Sequence, residues 1–200
     1  KHFLMAGLLI LMAVPMTHAD DSYDWQLARD RDGIQIYTSK VEGSSIKAVK
    51  AQTTLRGNMD RLITLLRDPT KRHEWDKNIG DAHVVRANKA DDDIVYMHVK
   101  LPWPVKDRDF VSHMVWQRTA DDAHMRSVIV DGEVPVSGNR VRVTEGFNDV
   151  DLIKDADGVI SLSLIAHLDP AGPIPAWLIN MLSVDAPYDS LKNLRALVAE

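Results

Sequence analysis

The sequence predicts an α+β fold in which a curled antiparallel sheet of about eight to nine strands wraps around one long C-terminal helix. Two observations support this prediction. Eight runs of apolar residues at strand-like spacing follow one another, most of them joined by short polar turns, and strands joined in this way pair antiparallel. A single amphipathic helical pattern follows, and one such helix can cover the concave face of a curled sheet. A chain of 200 residues is long enough for one domain with its own core.

The first residues have the pattern of a secretory signal. A basic start precedes an apolar run over residues 3–16, and small residues flank His18 before Ala19. The apolar run is shorter than the ~20 residues that a membrane-spanning helix needs. We therefore expect a cleaved signal peptide over residues 1–19, a domain over residues 20–200, and a periplasmic or secreted protein of bacterial origin. An uncleaved membrane anchor is the alternative.

The composition excludes several classes of function. Acidic residues outnumber basic ones, 29 against 24, for a net charge of −5, whereas nucleic-acid binding needs a concentrated basic surface. The absence of cysteine excludes disulfides, thiolate metal sites, thiol catalysis and a lipid-modified cysteine anchor. Stability must therefore come from a packed core.

The N-terminal part of the domain alternates short helical and strand patterns. Ser22 can cap a short helix that carries Trp25 and Leu27, and a turn then leads into strands over residues 34–38 and 46–55.

Two short helices come next. Asn58 is a typical N-cap for a helix over residues 59–67, which must end at Asp68 because the residue before a proline avoids the helical conformation. A second helix follows over residues 71–76.

The remaining pattern is six strands and a long helix. The strands are expected over residues 82–87, 94–101, 109–118, 124–130, 140–152 and 159–168. Apolar residues then recur at helical spacing over residues 174–198, which predicts the C-terminal helix. Pro187 lies inside this helix and should bend it near Asp185.

Many side chains expected on the inner face of the sheet are small: Ala51, Thr53, Val95, Val99, Ser112, Ser127, Ser161 and Ser163. Side chains of this size leave room beneath a single covering helix, so we expect a cavity. The alternative is a fully packed core in which Trp75, Trp116 and Phe147 fill the space.

Residues 101–110, which we name the Trp103 loop, connect two of the predicted strands. Pro102 and Pro104 bracket Trp103, and proline restricts the backbone and cannot donate to a strand ladder. We expect an extended loop that presents the aromatic ring at its tip. Such a ring either packs back over the core or meets an apolar partner.

Several motifs, in consistent order along the chain, resemble the START lipid-transfer domains, which have a helix-grip fold. They lie at residues 33–37, 72–76, 101–105, 108–111, 169–172 and 174–180. The resemblance implies a bacterial exported member similar to the phosphatidylcholine-transfer branch. It also implies a hydrophobic tunnel for one lipid, closed by the C-terminal helix and the Trp103 loop.

The resemblance also implies headgroup-binding residues. In phosphatidylcholine carriers of the family, an arginine and an aspartate at the positions of Arg72 and Asp76 contact the headgroup, because an arginine fork suits phosphate and a carboxylate suits a quaternary amine. An ordinary ion pair between helical residues four apart is the alternative. Met97 and Phe110 stand where those carriers have an aromatic side chain and a tyrosine, so selectivity for choline stays open.

Other residues are expected at the tunnel and its gate. Five more are expected to line the tunnel: Trp75, Met114, Phe147, Trp177 and Met181. Trp103 and Val105 are expected to form part of the gate and to contact the membrane during exchange.

No catalytic signature is complete. His73 and Glu74 lack the second histidine of a zinc-protease motif, and Ser44 and Lys47 match a Ser-x-x-Lys pattern outside a helix and without its partner motifs. Three histidines on strands could converge on a metal or acid–base site: His98, His113 and His167. The simpler interpretation is that they lie on polar faces of their strands. We therefore expect no catalytic residues, no metal and no cofactor.

The sequence thus predicts a monomeric, non-enzymatic protein that binds a lipid or another hydrophobic ligand in an internal tunnel. We expect it to transfer this ligand between membranes through transient membrane contact. Two alternatives stay open. A helix-grip enzyme, similar to a cyclase or aromatase, would act on a bound hydrophobic substrate, and a protein-binding accessory module would use the groove for another protein. The identity of the ligand is not predicted.

Overall fold

The computed structural model of the protein describes residues 22–44, 46–136 and 138–199, so the predicted signal peptide lies outside the described residues. The strands are β1 (Gln26–Arg31), β2 (Ile34–Ser39), β3 (Ala48–Arg56), β4 (Ile79–Lys89), β5 (Asp92–Val99), β6 (Arg108–Arg118), β7 (Asp122–Ile129), β8 (Val141–Arg142), β9 (Gly146–Lys154) and β10 (Val159–Leu168). The helical segments are α1 (Met59–Arg67), a 3₁₀ turn (Pro69–Lys71), α2 (Arg72–Trp75), α3 (Ala176–Asn180), a π-helical turn (Met181–Asp185) and α4 (Ala186–Ala199). The last three follow one another and form the C-terminal helix.

The strands form one sheet with the order β1-β2-β3-β10-β9-β7-β6-β5-β4, and the two-residue β8 lies beside β6. The pairings are antiparallel except that of β6 with β8. The predicted curled antiparallel sheet with a covering C-terminal helix is therefore confirmed. The ten described strands exceed the predicted eight to nine because β1 and β8 are strands of their own.

Helix α1 begins and ends where the sequence predicts. The side-chain oxygen of Asn58 accepts a hydrogen bond from the backbone N–H of Arg61 at 3.0 Å, which satisfies one of the free N–H groups of the first turn. Asp68 ends the helix, and its carboxylate accepts from the N–H of Thr70 at 3.0 Å. Helix α1 buries its apolar face and so fixes the start of α2, which carries Arg72.

The C-terminal helix covers the inner face of the sheet. Its α4 segment buries Tyr188, Leu191, Leu194 and Val198 in the core. At the place of the predicted bend near Asp185, the structure has the π-helical turn, which ends two residues before Pro187. Pro187 lacks the N–H that a regular helix would use. None of the helices in the described part of the chain combines the length and hydropathy that crossing a bilayer requires.

Polar contacts tie the C-terminal helix to the β1–β2 hairpin from the π-helical turn onwards. Arg29 donates to the carboxylate of Asp185 at 2.6 Å. The hydroxyl of Tyr188 donates to the carboxylate of Asp32. Over residues 176–184, by contrast, no side chain makes a hydrogen bond or ion pair to another described residue. The beginning of the helix is therefore held mainly by apolar contact.

The helix predicted around Trp25 and Leu27 is wrong. This segment leads into strand β1, which pairs with β2 across a turn at Asp32 and Gly33, and Leu27 is 55% exposed. Hydrogen bonding to a neighbouring strand is a non-local interaction, and it outweighs the local capping signal of Ser22.

Residues 140–152 do not form one strand, as predicted, because β8 and β9 are separated by residues 143–145. Ser161 and Ser163 were expected on the inner face, but the alternation of β10 sends them to the outer face. The inner face carries Leu162, which packs in the core.

Candidate functional site

An apolar cavity lies between the inner face of the sheet and the C-terminal helix. Its volume is about 250 Å³. Most of the side chains that line it are apolar: Ile46, Val49, Ala51, Trp75, Ile79, Met97, Val99, Leu101, Phe110, Val143, Leu164, Ala166, Leu168, Ile174, Ile179, Leu182, Ala186 and Leu191. The alternative of a fully packed core is therefore wrong.

Strand alternation supplies this apolar lining. Leu164, Ala166 and Leu168 occupy every second position of β10. Ala51 pairs directly with Leu164, and Val49 pairs directly with Ala166. Directly paired residues share a face of the sheet, so these side chains form a continuous apolar wall.

A largely buried charge interrupts this wall. Arg72 in α2 has a side chain that is 16% exposed, and its guanidinium carbon lies 4.1 Å from the centre of the Trp75 ring. Its Nε atom is buried without a hydrogen-bond partner, and Arg72 donates no side-chain hydrogen bond to any residue that the structure describes. Loss of water lowers the pKa of Arg72 below its usual value, and the charge of Asp76 offsets part of this effect. Arg72 therefore lines the cavity with unused donors.

Asp76 accompanies Arg72 without forming a hydrogen-bonded fork. Its Oδ2 atom lies 4.0 Å from Arg72 Nε, at the limit of direct ion pairing. Its Oδ1 atom accepts from the backbone N–H of Asn78 at 3.1 Å, which fixes the carboxylate beside the cavity. The pair is thus arranged so that both charged groups can contact a third group.

Trp75 fixes α2 against its neighbours. The indole N–H donates to the backbone oxygen of Leu65 in α1 at 3.2 Å, and the backbone oxygen of Trp75 accepts from Asn193 in α4 at 3.1 Å. Trp75, whose ring supports Arg72, is therefore held by both α1 and α4.

The Trp103 loop borders the mouth of the cavity. Its tip is a tight turn rather than the extended stretch expected, because the backbone N–H of Val105 donates to the backbone oxygen of Pro102 at 3.0 Å, and the peptide between Trp103 and Pro104 is cis. Trp103 is 91% exposed, whereas Val105 is half-buried. The ring of Trp103 therefore does not pack back over the core.

Arg108 ties this loop to the segment before the C-terminal helix. Its buried guanidinium donates to the backbone oxygens of Lys106, Pro170 and Ala171, the last two at 2.9 and 3.0 Å. Because the helix begins at Ala176, Arg108 sets the distance between the two sides of the mouth.

Asp109, the residue after Arg108, makes a buried ion pair with Arg142 on the outer face of β6. Its side chain is 1% exposed and accepts from Arg142 Nε at 2.9 Å and from the hydroxyl of Tyr96 at 3.1 Å. Burial favours the neutral acid, but the hydrogen bonds and charge of Arg142 outweigh it and hold the pKa of Asp109 below its usual value. Arg142 also donates to the backbone oxygen of Val134 at 3.0 Å. The segment that contains Val134 is therefore connected to β6 through Arg142 and Asp109.

Comparisons with known proteins identify the family. The START domain family model matches residues 16–199. The protein belongs to the START domain family. An uncharacterized protein of Pseudomonas aeruginosa is 32% identical to this START protein over 174 residues, which are 86% of each chain. The phosphatidylcholine transfer protein of Mus musculus is 26% identical over 180 residues, covering 86% of this chain and 82% of that one.

A solved structure supports the same assignment. The crystal structure of a STAR-related lipid transfer protein fragment from Xanthomonas axonopodis matches this START domain with a TM-score of 0.78 and 29% identity. The match covers 88% of this chain and 99% of that chain. The resemblance that the sequence motifs indicated is therefore confirmed.

Five of the predicted ligand-binding residues line the cavity of this START domain: Arg72, Trp75, Asp76, Met97 and Phe110. The structure brings them together because the single turn of α2 lies against the inner face of the sheet, where β5 and β6 pair Met97 with Phe110. Their contact with a ligand stays a prediction.

Two predicted binding residues on strands lie away from the cavity lining. Met114 is on the inner face of β6 but packs in the apolar core beyond Phe110. Phe147 faces the outer side of β9, where its ring centre is 5.7 Å from the guanidinium carbon of Arg126. The break before β9 explains this error, because Asn148, not Phe147, then takes the inward position.

Two predicted binding residues on the C-terminal helix are also outside the lining. Trp177 is 51% exposed, and Met181 begins the π-helical turn. The wider π-helical turn shifts the residues that face inward, so Leu182 and Ser183 line the cavity instead.

Six polar lining residues were missed by the sequence analysis: Lys47, Asn78, Arg108, Asn148, Ser183 and Ser190. Arg108 had a signal, since it lies two positions before Phe110 and must share its face of β6. Asn148 had none, and its side-chain oxygen is buried without a hydrogen-bond partner.

The strand histidines do not converge on one site. Each has a separate partner: His98 Nε2 is 2.7 Å from Asp107, His113 Nε2 is 2.7 Å from Asp92, and His167 Nε2 is 3.2 Å from the hydroxyl of Ser44. Among residues 22–44, 46–136 and 138–199, no cluster of three potential metal ligands occurs.

Asp107 gives the Trp103 loop a pH-dependent attachment. Burial raises the pKa of Asp107, but the hydrogen bonds from the backbone N–H of Leu101, at 2.9 Å, and from His98 outweigh it, so the pKa lies below its usual value. The contribution of Asp107 to stability should therefore be complete above the unfolded pKa of about 3.9 and should disappear as pH falls below it. We expect Asp107→Asn to lower the melting temperature at pH 7, and the difference from wild type to shrink towards pH 3. A difference that stays constant across thermal unfolding curves from pH 7 to pH 3 would contradict this assignment.

Proposed function

We propose that this START protein binds one lipid in the cavity and transfers it between membranes. The observation that carries the proposal is an apolar cavity lined by the buried and incompletely hydrogen-bonded Arg72 beside Asp76. A ligand that suits such a site is amphiphilic, with apolar chains against the walls and a polar head at α2. The names of the phosphatidylcholine transfer protein and the STAR-related lipid transfer protein support the proposal.

The apolar walls and the polar residues have different roles in this proposal. Burial of about ten methylenes contributes about 8 kcal/mol before the costs of association. The chains therefore supply most of the affinity. The polar head must replace its lost water with contacts at α2, where Arg72 has unused donors, and these contacts determine which lipid is selected.

The proposed gate consists of the Trp103 loop and residues 174–184. The α4 segment is buried in the core, and Arg29 and Tyr188 tie the helix to the β1–β2 hairpin. The side chains of residues 176–184 make no hydrogen bond or ion pair to another described residue. The segment before them is held by Arg108, which donates to the backbone oxygens of Pro170 and Ala171. We therefore expect opening at the beginning of the C-terminal helix, with the π-helical turn as its boundary.

Exposed indole rings support membrane contact at this gate. Trp103 is 91% exposed and Trp177 is 51% exposed, and Arg108 joins the Trp103 loop to the segment that precedes the helix with Trp177. Indole rings favour the interface between water and lipid because they are apolar with one polar N–H. Val105, half-buried at the base of the loop, would support the tip during contact.

Export and a monomeric state are further parts of the proposal. The pattern of residues 1–19 supports cleavage after Ala19 and a periplasmic or secreted location. Sequencing of the mature N-terminus tests the first point, and sedimentation analysis tests the second.

We propose a carrier rather than a helix-grip enzyme. Two of the three relatives compared above bear the names of transfer proteins. In the part of the chain that the structure describes, the cavity lining contains no histidine, and its only carboxylate is that of Asp76. A general acid–base pair of the kind that such an enzyme would use has no support in this lining.

The protein purified without detergent from its own host should carry a single bound lipid. Native mass spectrometry followed by lipid extraction would detect and identify it. Recovery of the protein with no hydrophobic molecule bound would contradict the proposal. Recovery with a stoichiometric protein partner in the groove would favour the accessory module instead.

Trp103→Ala should slow lipid transfer between vesicles several-fold, because the ring would no longer enter the membrane interface. The melting temperature should hardly change, because surface substitutions alter stability by less than about 0.5 kcal/mol. Leu27→Ala, at an exposed apolar residue of β1, is the matched control and should transfer lipid at the wild-type rate. A large loss of stability with normal transfer would instead make Trp103 a structural residue.

Arg108→Lys should loosen the mouth, because lysine keeps the charge but cannot reach all three backbone oxygens. Hydrogen–deuterium exchange should accelerate over residues 176–184, and lipid release should become faster. Exchange over residues 188–198 should stay at the wild-type rate. Arg118→Lys, at an exposed ion pair with Asp60, is the control. A uniform increase of exchange along the chain would show global destabilisation and contradict a local gate.

A further inference from the structure

The polar residues that line the cavity carry an excess of positive charge. Lys47, Arg72 and Arg108 are cationic, and Asp76 is the only carboxylate in the lining formed by described residues. Three positive groups against one negative group leave a net charge of +2. Lys47 is exposed, whereas the side chains of Arg72 and Arg108 are largely buried. The positive charge of the lining therefore has an exposed part and a buried part.

These charges are poorly neutralised within the protein. Arg72 has its carboxylate partner only at 4.0 Å, and its Nε donates to nothing. Arg108 donates to three neutral backbone oxygens and has no carboxylate within ion-pairing distance among the described residues. Of its two acidic neighbours in sequence, Asp107 is engaged with Leu101 and His98, and Asp109 is engaged with Arg142. Lys47 has no ion pair within residues 22–44, 46–136 and 138–199.

The site also lacks the groups that a quaternary amine requires. Such a cation binds best against several aromatic faces. Among the described residues, the aromatic side chains that line the cavity are Trp75 and Phe110, and Arg72 already covers the face of Trp75. Tyr96, on the neighbouring strand, points to the outer face and donates to Asp109. A choline group would therefore find one free aromatic side chain and one carboxylate that Arg72 already attracts.

We propose that the ligand of this cavity is a phospholipid whose head carries a net negative charge, a phosphate diester without an amine. This inference rests on the proposed function and specifies its ligand class. The phosphate would accept from Arg72, in the field of Lys47 and Arg108, because phosphate oxygens match the planar donors of a guanidinium. Asp76 would offset part of the positive charge of the lining instead of binding an amine. This START protein would thus differ from its relatives that are named for phosphatidylcholine.

The first experiment compares three lipids with identical acyl chains. Vesicles of equal size would present labelled phosphatidylglycerol, phosphatidylcholine or diacylglycerol to the delipidated full chain, and native mass spectrometry would count each complex. We expect phosphatidylglycerol to exceed phosphatidylcholine by about tenfold or more, the ratio that corresponds to 1.4 kcal/mol. Diacylglycerol, which lacks the phosphate, should bind more weakly than phosphatidylglycerol.

The second experiment uses variants for which an anionic and a zwitterionic head predict opposite results. Asp76→Asn keeps an oxygen for the N–H of Asn78 but removes the negative charge. It should preserve or increase binding of phosphatidylglycerol, whereas an amine-binding Asp76 would make the same change harmful. Lys47→Gln, at an exposed residue, should reduce the preference for phosphatidylglycerol several-fold without affecting folding. Lys77→Gln removes the same charge from an exposed residue outside the lining and should leave the preference unchanged.

The outcomes separate this inference from the proposed function. Phosphatidylcholine bound as well as or better than phosphatidylglycerol, or a loss of binding in Asp76→Asn, would overturn the anionic ligand and leave the lipid carrier intact. Equal binding of diacylglycerol would also overturn it. Binding of none of the three lipids by a protein with a normal unfolding transition would overturn the proposed function itself. Arg72→Lys, which keeps the charge without the planar fork, should retain part of the preference.

Discussion

Two neighbouring charged residues at the start of β6 hold the mouth of the cavity together. Arg108 points inward and binds the backbone ahead of the C-terminal helix, whereas Asp109 points outward and binds Arg142. These side chains are only 5% and 1% exposed, and a buried charge is tolerated only when hydrogen bonds replace its lost water. The contacts to surrounding segments are therefore obligatory. Strand alternation, which sends adjacent residues to opposite faces, thereby positions the connecting segments on both sides of the sheet.

The same principle applies to Arg72, a largely buried charge in an otherwise apolar part of the cavity lining. A guanidinium removed from water without a full set of acceptors costs free energy. The ring of Trp75 and the charge of Asp76 offset part of this cost, but the ion pair at 4.0 Å leaves donors unused. Such an arrangement suits a protein whose ligand completes the hydrogen bonding. Under the proposed function, the apolar chains of the ligand would supply affinity and the lining charges would determine selectivity.

The candidate site was only partly predictable from the sequence. Arg72, Trp75 and Asp76 lie within one helical turn, so their proximity follows from local geometry, and Met97 and Phe110 follow from two strands that pair in the expected register. The expectations for Phe147 and Met181 failed for a different reason. Whether a side chain points inward or outward depends on how many residues separate it from the last irregularity in its strand or helix. A strand break reverses the inward and outward faces for the residues that follow, and a π-helical turn rotates them around the helix axis.

By itself, the sequence determined the fold class and the elements with local signals. The bounds of α1 and β10 match the predicted ranges at both ends, because a cap, a proline and an uninterrupted alternation act within a few residues. The tertiary structure alone decided that β1 is a strand, that Asn148 and Ser183 face the cavity, and that Arg108 joins two segments 62 residues apart. It also decided which charges meet in the lining. These outcomes depend on contacts between distant parts of the chain, and a local pattern carries no information about which distant partner a residue will meet.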